Sequence, residues 1–138
     1  MRVLGVDHGE KRIGLAISDA TGMIARPLSV IEHISRAVDA AQVAAAAADH
    51  EAELIVIGQS FDEEGRANLA GRRAGRFAEA LKTQTALRIV LWDESMSTAD
   101  AREFRREAGT SRKKRRGHLD EAAAAVLLQS YLDAQRPG

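Results

Sequence analysis

The 138-residue sequence predicts an α/β fold, a mixed five-stranded sheet flanked by helices, and three features carry that expectation. The chain opens with three short extended segments joined by turn-rich stretches. Two continuous apolar runs follow further on, and a helical pattern separates each strand from the next. Extended segments joined by tight turns pair antiparallel, whereas strands reached only through a helix join in parallel. Three antiparallel strands should therefore be followed by parallel ones.

Residues 3–7 and 13–17 carry the first hairpin, around a turn rich in glycine and charge (His8, Gly9, Glu10, Lys11, Arg12), and the hairpin ends at Asp19. A turn at Thr21 and Gly22 leads to a third strand over residues 27–31, where Pro27 suits an edge or a first position because it has no amide to donate. Ser35 can cap a helix through Val38, Ala41 and the alanine run 44–48, a strongly helix-forming composition. Residues 54–57 form a short apolar run that stops at Gly58, the pattern of a strand covered on both faces. Ala70, Ala74, Phe77, Ala78 and Leu81 then recur at helical spacing, with Arg66, Arg72, Arg73 and Arg76 largely off that stripe; Gly71 and Gly75 mark close packing. Residues 87–92 read as another buried-type strand, Ser97 as the cap of a helix through Ala101 and Phe104, and residues 119–132 as a last helix. With no repeat and no linker, residues 1–138 are expected to form a single domain.

Composition narrows the chemistry. There is no cysteine, so disulfides, thiolate metal sites and cysteine nucleophiles are excluded, and any metal must be held by oxygen or imidazole. His8, His33, His50 and His118 show no ligand-pair spacing and are expected mostly at the surface. No apolar run approaches the roughly 20 residues of a membrane span, and the amino terminus has no signal-peptide layout; a cytoplasmic protein without membrane contact is expected. Net charge is formally zero, but residues 102–116 hold eight Lys and Arg against two Glu, so a nucleic-acid contact or a solvated loop is concentrated there.

In open α/β sheets, sites form where strands end at their carboxyl side. Asp7 ends the first strand, Asp93 and Glu94 end the last, and Asp120 lies in the first turn of the last helix, on a face with Ala124, Leu127 and Tyr131. Each has a structural explanation: an Asx turn, a polar strand end, a helix-dipole partner. A carboxylate turned towards the protein nevertheless needs a partner, and an all-oxygen site of two or three carboxylates suits Mg²⁺ or Mn²⁺, which also bind phosphate oxygens. Phosphoryl transfer with water as nucleophile is the matching chemistry.

The segment Asp7-His8-Gly9-Glu10-Lys11-Arg12-Ile13-Gly14-Leu15-Ala16-Ile17-Ser18-Asp19 resembles the opening signature of the YqgF/RuvX family of pre-16S ribosomal RNA nucleases, related to the RuvC Holliday-junction resolvases. The resemblance continues through Ile55-Val56-Ile57-Gly58, Gly65, Trp92-Asp93-Glu94 with Ser97-Thr98-Ala99, and the helix from Asp120 to Leu132. It implies a ribonuclease H-like fold and a divalent-metal-dependent cut near the 5′ end of pre-16S rRNA. It assigns Asp7, Glu94 and Asp120 as catalytic metal-holding carboxylates, with Asp93 as a substitute for Glu94. It assigns substrate contact to Lys11 and Arg12 in the first hairpin and to Arg112, Lys113, Lys114, Arg115 and Arg116 before the last helix. The chain departs from the family pattern at Ser60, where a proline is usual, and at Ser95, where an arginine is usual.

Precursor rRNA is the expected partner, with branched DNA as the alternative, because no motif shows how a 2′-hydroxyl would be read. A non-catalytic RNA-binding maturation factor would retain the same acidic positions. A homodimer is expected by analogy with resolvases. An actin-like ATPase reading of the Asp-x-Gly turn is disfavoured by length, since such enzymes close a nucleotide between two domains.

Overall fold

The computed structural model describes residues 1–97 and 116–136, with side chains described for 1–95 and 122–136. Its five strands are β1 (Val3–His8), β2 (Arg12–Ser18), β3 (Ala25–Glu32), β4 (Leu54–Gln59) and β5 (Arg88–Asp93). The helices are α1 (Arg36–Asp49), α2 (Leu69–Lys82) and α3 (Arg116–Gln135), and a one-turn 3₁₀ segment, Glu94–Ser97, follows β5. The sheet order is β3-β2-β1-β4-β5. β1 and β2 pair antiparallel, as do β2 and β3, and β4 joins β1 and then β5 in parallel. The expected mixed sheet is thus present. Pro27 sits in edge strand β3, beside a register shift at Leu15 and Ala16. The expected helix through Ala101 and Phe104 falls outside the described residues. Among the described residues no helix is long and apolar enough to cross a membrane.

Period-two alternation gives the sheet two unlike faces. One presents Leu4, Val6, Ile13, Leu15, Ile17, Ile55 and Ile57, which pack with Ala40 and Val43 of α1 and with Phe77 and Leu81 of α2. Ser35 caps α1 by accepting from the Val38 amide at 3.2 Å, and Asn68 caps α2 by accepting from the Gly71 amide at 2.8 Å. The alanine face of α1 (Ala40, Ala47) and the stripe Ala74, Phe77, Ala78, Leu81 are buried here.

The other face is small. Val3, Ala16, Leu54 and Val56 meet Ala124, Leu128, Tyr131 and Leu132 of α3. A side chain at Gly5 would put its Cβ 2.8 Å from Leu128 Cβ, and one at Gly58 would put it 2.8 Å from Leu127 Cδ2, so these glycines let α3 lie directly on the sheet. Trp92 donates from Nε1 to Ser130 Oγ at 3.2 Å and meets Tyr131 edge-on with ring centres 5.3 Å apart. At the other edge, Gln129 accepts from the Ala25 amide and donates to Met23 O, both at 2.9 Å. These contacts pin α3 from β5 across to β3.

One strand differs from the sequence reading. Residues 87–92 were expected to be covered on both faces, yet β5 is an edge strand with Arg88 exposed and Leu91 41% exposed. An apolar run records that a strand joins the sheet, not that it joins last. At the edge it has β4 as its one strand neighbour among the described residues.

Candidate active site

Gly5 meets α3, and alternation along β1 therefore turns Asp7 to the same face, opposite Gly14 of β2. Asp7 is half-buried at the carboxyl end of its strand. The β1–β4 register runs from Val3 with Leu54 to Val6 with Ile57, which leaves Gly58 beside Asp7 on the next strand. Glu94 reaches over that glycine: its Oε1 lies 2.9 Å and its Cγ 3.0 Å from where a Cβ at position 58 would stand. Neighbouring strands run about 4.8 Å apart, so the Asp7 and Glu94 carboxylates share one small region above the carboxyl ends of β1 and β4.

Asp93 is placed differently. It pairs with Gln59, whose side chain donates to Gly71 O of α2 at 3.1 Å, so both belong to the α2 face. Asp93 Oδ1 accepts from the Ser95 amide at 2.9 Å, closing the 3₁₀ turn that carries Glu94. Ser95, at the position where an arginine was expected, is the residue whose amide makes this closure. Ser60, in place of a proline, donates from Oγ to Asn68 Oδ1 at 2.7 Å and so ties the end of β4 to the cap of α2.

The third carboxylate is carried by α3. Ala124 and Leu128 lie against Gly5, while Gln129 and Arg136 donate to Met23 O, beside the end of β2 that meets the start of β1, so the helix runs antiparallel to β1. Asp120 stands one turn before Ala124, about 6 Å along the helix. Asp7 stands two residues beyond Gly5, about 7 Å along the strand. The backbone at Asp120 therefore comes level with the end of β1 on the Asp7 side of the sheet; its side chain lies outside the described ones. Ala124, Leu127 and Tyr131, which share its helical face, are buried as expected.

Arg12 opens β2 two residues before Gly14, on the same face as Asp7, and Lys11 is exposed in the turn that the Gly9 amide closes on Arg12 O at 2.9 Å. Arg112, Lys113, Lys114 and Arg115 lie outside the described residues, and Arg116 begins α3.

Of the histidines, expected mostly at the surface, His33 and His50 are exposed and His8 is an exception. Its ring stacks on the buried Phe77, with centres 4.6 Å apart and planes at 29°, and its Nδ1 is buried with no hydrogen-bond partner among the described residues. Burial pushes the imidazole below its ordinary pKa; the Asp39 carboxylate opposes that shift, and His33, Arg73 and Arg36 add to it. His33 Nδ1 contacts Asp39 Oδ2 at 2.5 Å, and Asp39, fully buried, also accepts from the Ile34 amide at 3.0 Å. The six-residue spacing of His33 and Asp39 spans a strand end and a helix start, so periodicity could not pair them.

A sequence profile described as RuvX, Holliday junction resolvase, matches residues 1–134. The chain belongs to the RuvX family. A RuvX-family relative from Anaeromyxobacter sp. (strain Fw109-5), named "Putative pre-16S rRNA nuclease", is 42% identical over 135 residues, covering 98% of each chain. Among solved structures, Thermus thermophilus RuvC in complex with a Holliday junction superposes with a TM-score of 0.62 at 18% identity, covering 98% of this chain and 96% of that one. Fowlpox virus resolvase with its Holliday junction gives a TM-score of 0.58 at 14% identity, covering 99% and 100%. At such identities the likeness is one of fold, and the fold of this RuvX protein is ribonuclease H-like. Family membership makes the chain a nuclease, a hydrolase of phosphodiester bonds.

Proposed function

We propose that this RuvX protein is a divalent-metal-dependent endonuclease of the cytoplasm that processes the 5′ end of pre-16S rRNA, with Asp7, Glu94 and Asp120 holding Mg²⁺ or Mn²⁺. The observation that carries the proposal is the Glu94 carboxylate lying over Gly58, beside Asp7 and on the face that α3 covers. Position 58 has no side chain, and a Cβ there would occupy the space that the Glu94 carboxylate uses. The donors are all carboxylate oxygens, which suits a hard ion that retains waters and takes phosphate oxygens as further ligands. When bound, such an ion supplies charge neutralisation at the phosphodiester and eases deprotonation of the attacking water.

The chain's own residues do the rest. The closure of Asp93 onto the Ser95 amide holds the 3₁₀ turn and thereby the Glu94 backbone. Arg12, on the carboxylate face, and Lys11, in the adjoining turn, would contact substrate phosphate, and Arg112 to Arg116 would guide the strand towards Asp120. Water adds to phosphorus, one P–O bond breaks, and the leaving oxygen takes up a proton. RNA is the proposed substrate because the relatives similar over the full length carry that activity in their names.

The test is cleavage of a pre-16S 5′ leader and of a four-way DNA junction, each with Mn²⁺, Mg²⁺ or chelator, by wild type, Asp7→Asn and Asp120→Asn. Metal-dependent cleavage of the RNA, lost in both variants, is expected. Cleavage of the junction alone would move the substrate to branched DNA, and metal-independent cleavage would remove the carboxylates from the chemistry.

A further inference from the structure

The opposite face of the sheet carries a second polar site at the same end of β1. A cavity of about 330 Å³ opens between the first hairpin, the start of α1 and α2, lined by His8, Ser35, Arg36, Asp39, Arg73 and His33 with the turn Gly9–Glu10. We propose that this cavity binds a phosphate group, as a phosphate monoester or as inorganic phosphate.

Its donors are the first argument. Arg36 and Arg73 line the cavity, and among the described residues neither guanidinium has a carboxylate partner. Guanidinium groups are weakly hydrated, fixed in charge and shaped to donate in pairs to phosphate oxygens. Among the described residues the buried Nδ1 of His8 also has no partner, although a buried polar atom ordinarily has one.

The acidic groups are accounted for. Both Asp39 oxygens are engaged, Oδ2 by His33 and Oδ1 by the Ile34 amide, so this carboxylate is held in the wall, from where its charge acts on His8. Glu10 is exposed on the turn at the rim. The volume is at the lower end of small-ligand sites, enough for a phosphate with one attached group and far too small for a duplex. The walls are also well held: His8 stacks on Phe77, and Ser35 is fixed as the cap of α1. This proposal stands apart from the carboxylate site, since the two lie on opposite faces of the sheet.

Metal-free, isotope-labelled protein is titrated with inorganic phosphate at constant ionic strength while the amides of residues 8–10, 33–37 and 73 and the His8 ring are followed by NMR. Saturable shifts confined to these residues are expected, with affinity weakened at least about tenfold in an Arg36→Gln, Arg73→Gln double variant. Both arginines lie on helix surfaces, and unchanged amide spectra elsewhere show that the variant is folded. Asp7→Asn should bind phosphate like wild type, so loss of cleavage in that variant bears on the carboxylates and not on this cavity. Tighter binding of a 5′-phosphorylated trinucleotide than of its 5′-hydroxyl counterpart and of phosphate would identify a strand end as the source; equal binding of phosphate and the phosphorylated trinucleotide would identify the free ion. Absence of saturable shifts, or shifts that persist in the double variant, would overturn the proposal.

Discussion

On the proposed function, the two faces of the sheet divide stability from chemistry. The α1–α2 face is filled by large aliphatic side chains and Phe77, all buried. The α3 face is built of Val3, Ala16 and Val56 with glycines at 5 and 58, and its carboxyl end carries Asp7 and Glu94. Small side chains bury less apolar area, at about 25 cal/mol per Å², so that face gives up driving force. What it gains is closeness: a helix backbone and two carboxylates can approach the strand ends without intervening side chains. A residue's effect on activity should therefore depend on its face more than on its position along a strand.

The sharpest test compares adjacent residues. Glu94→Gln is expected to lower kcat on the order of 10²- to 10³-fold, because the amide weakens the hold on the ion that would stabilise developing charge. Asp93→Asn should stay near wild type, because asparagine can still accept from the Ser95 amide. Equal losses in both would show that the faces are not separate in function.

A smaller effect is expected at position 58. In Gly58→Ala the new Cβ would stand 2.8 Å from Leu127 Cδ2 and 2.9 Å from Glu94 Oε1, so either α3 or the carboxylate must move. A shift of about 1 Å in a catalytic group can cost on the order of 10²-fold, and overpacking costs about 1–3 kcal/mol. Denaturant unfolding alongside cleavage assays separates the two. Its counterpart one residue earlier, Ile57→Val, removes a methylene from the fully buried opposite face. It should cost about 0.5–1.5 kcal/mol in stability and leave cleavage by the folded enzyme unchanged.

The residues that sequence alone placed correctly are those whose position follows from periodicity. The hairpin of β1 and β2, the stripe Ala74, Phe77, Ala78 and Leu81, and Asp7 at a strand end all follow from local spacing. Three features did not. The exposure of β5 depends on sheet order, which an apolar run does not encode. The separation of Asp93 from Glu94 depends on the register of β4 with β5, set by contacts far apart in sequence. The burial of His8 depends on Phe77 arriving from α2 to cover it. In each case the missing information was which element lies on which face.

The smallest effect expected concerns a carboxylate outside the site altogether, and it completes the comparison. Asp19 follows β2, and its oxygens are satisfied by donors rather than gathered beside other acids. Thr21 Oγ1 donates to Oδ2 at 2.6 Å, and the Met23 and Ile24 amides donate to Oδ1 at 2.9 and 3.2 Å. The threonine hydroxyl first, and then the two amides, pull its pKa down from 3.8 to about 2. A depressed carboxylate stabilises the fold when ionised: the contribution is complete above the unfolded value near 3.8 and is lost as pH falls through about 2. The group is fully exposed, so solvent keeps the effect modest. Asp19→Asn should therefore melt slightly below wild type at every pH from about 5 to 8, with a gap that is constant over that range and closes only below about pH 4. Cleavage at neutral pH should be unaltered. A gap that varied across neutral pH would mean that another titrating group supports this turn, and a loss of cleavage would mean that the β2–β3 end of the sheet is coupled to the carboxylates at the other.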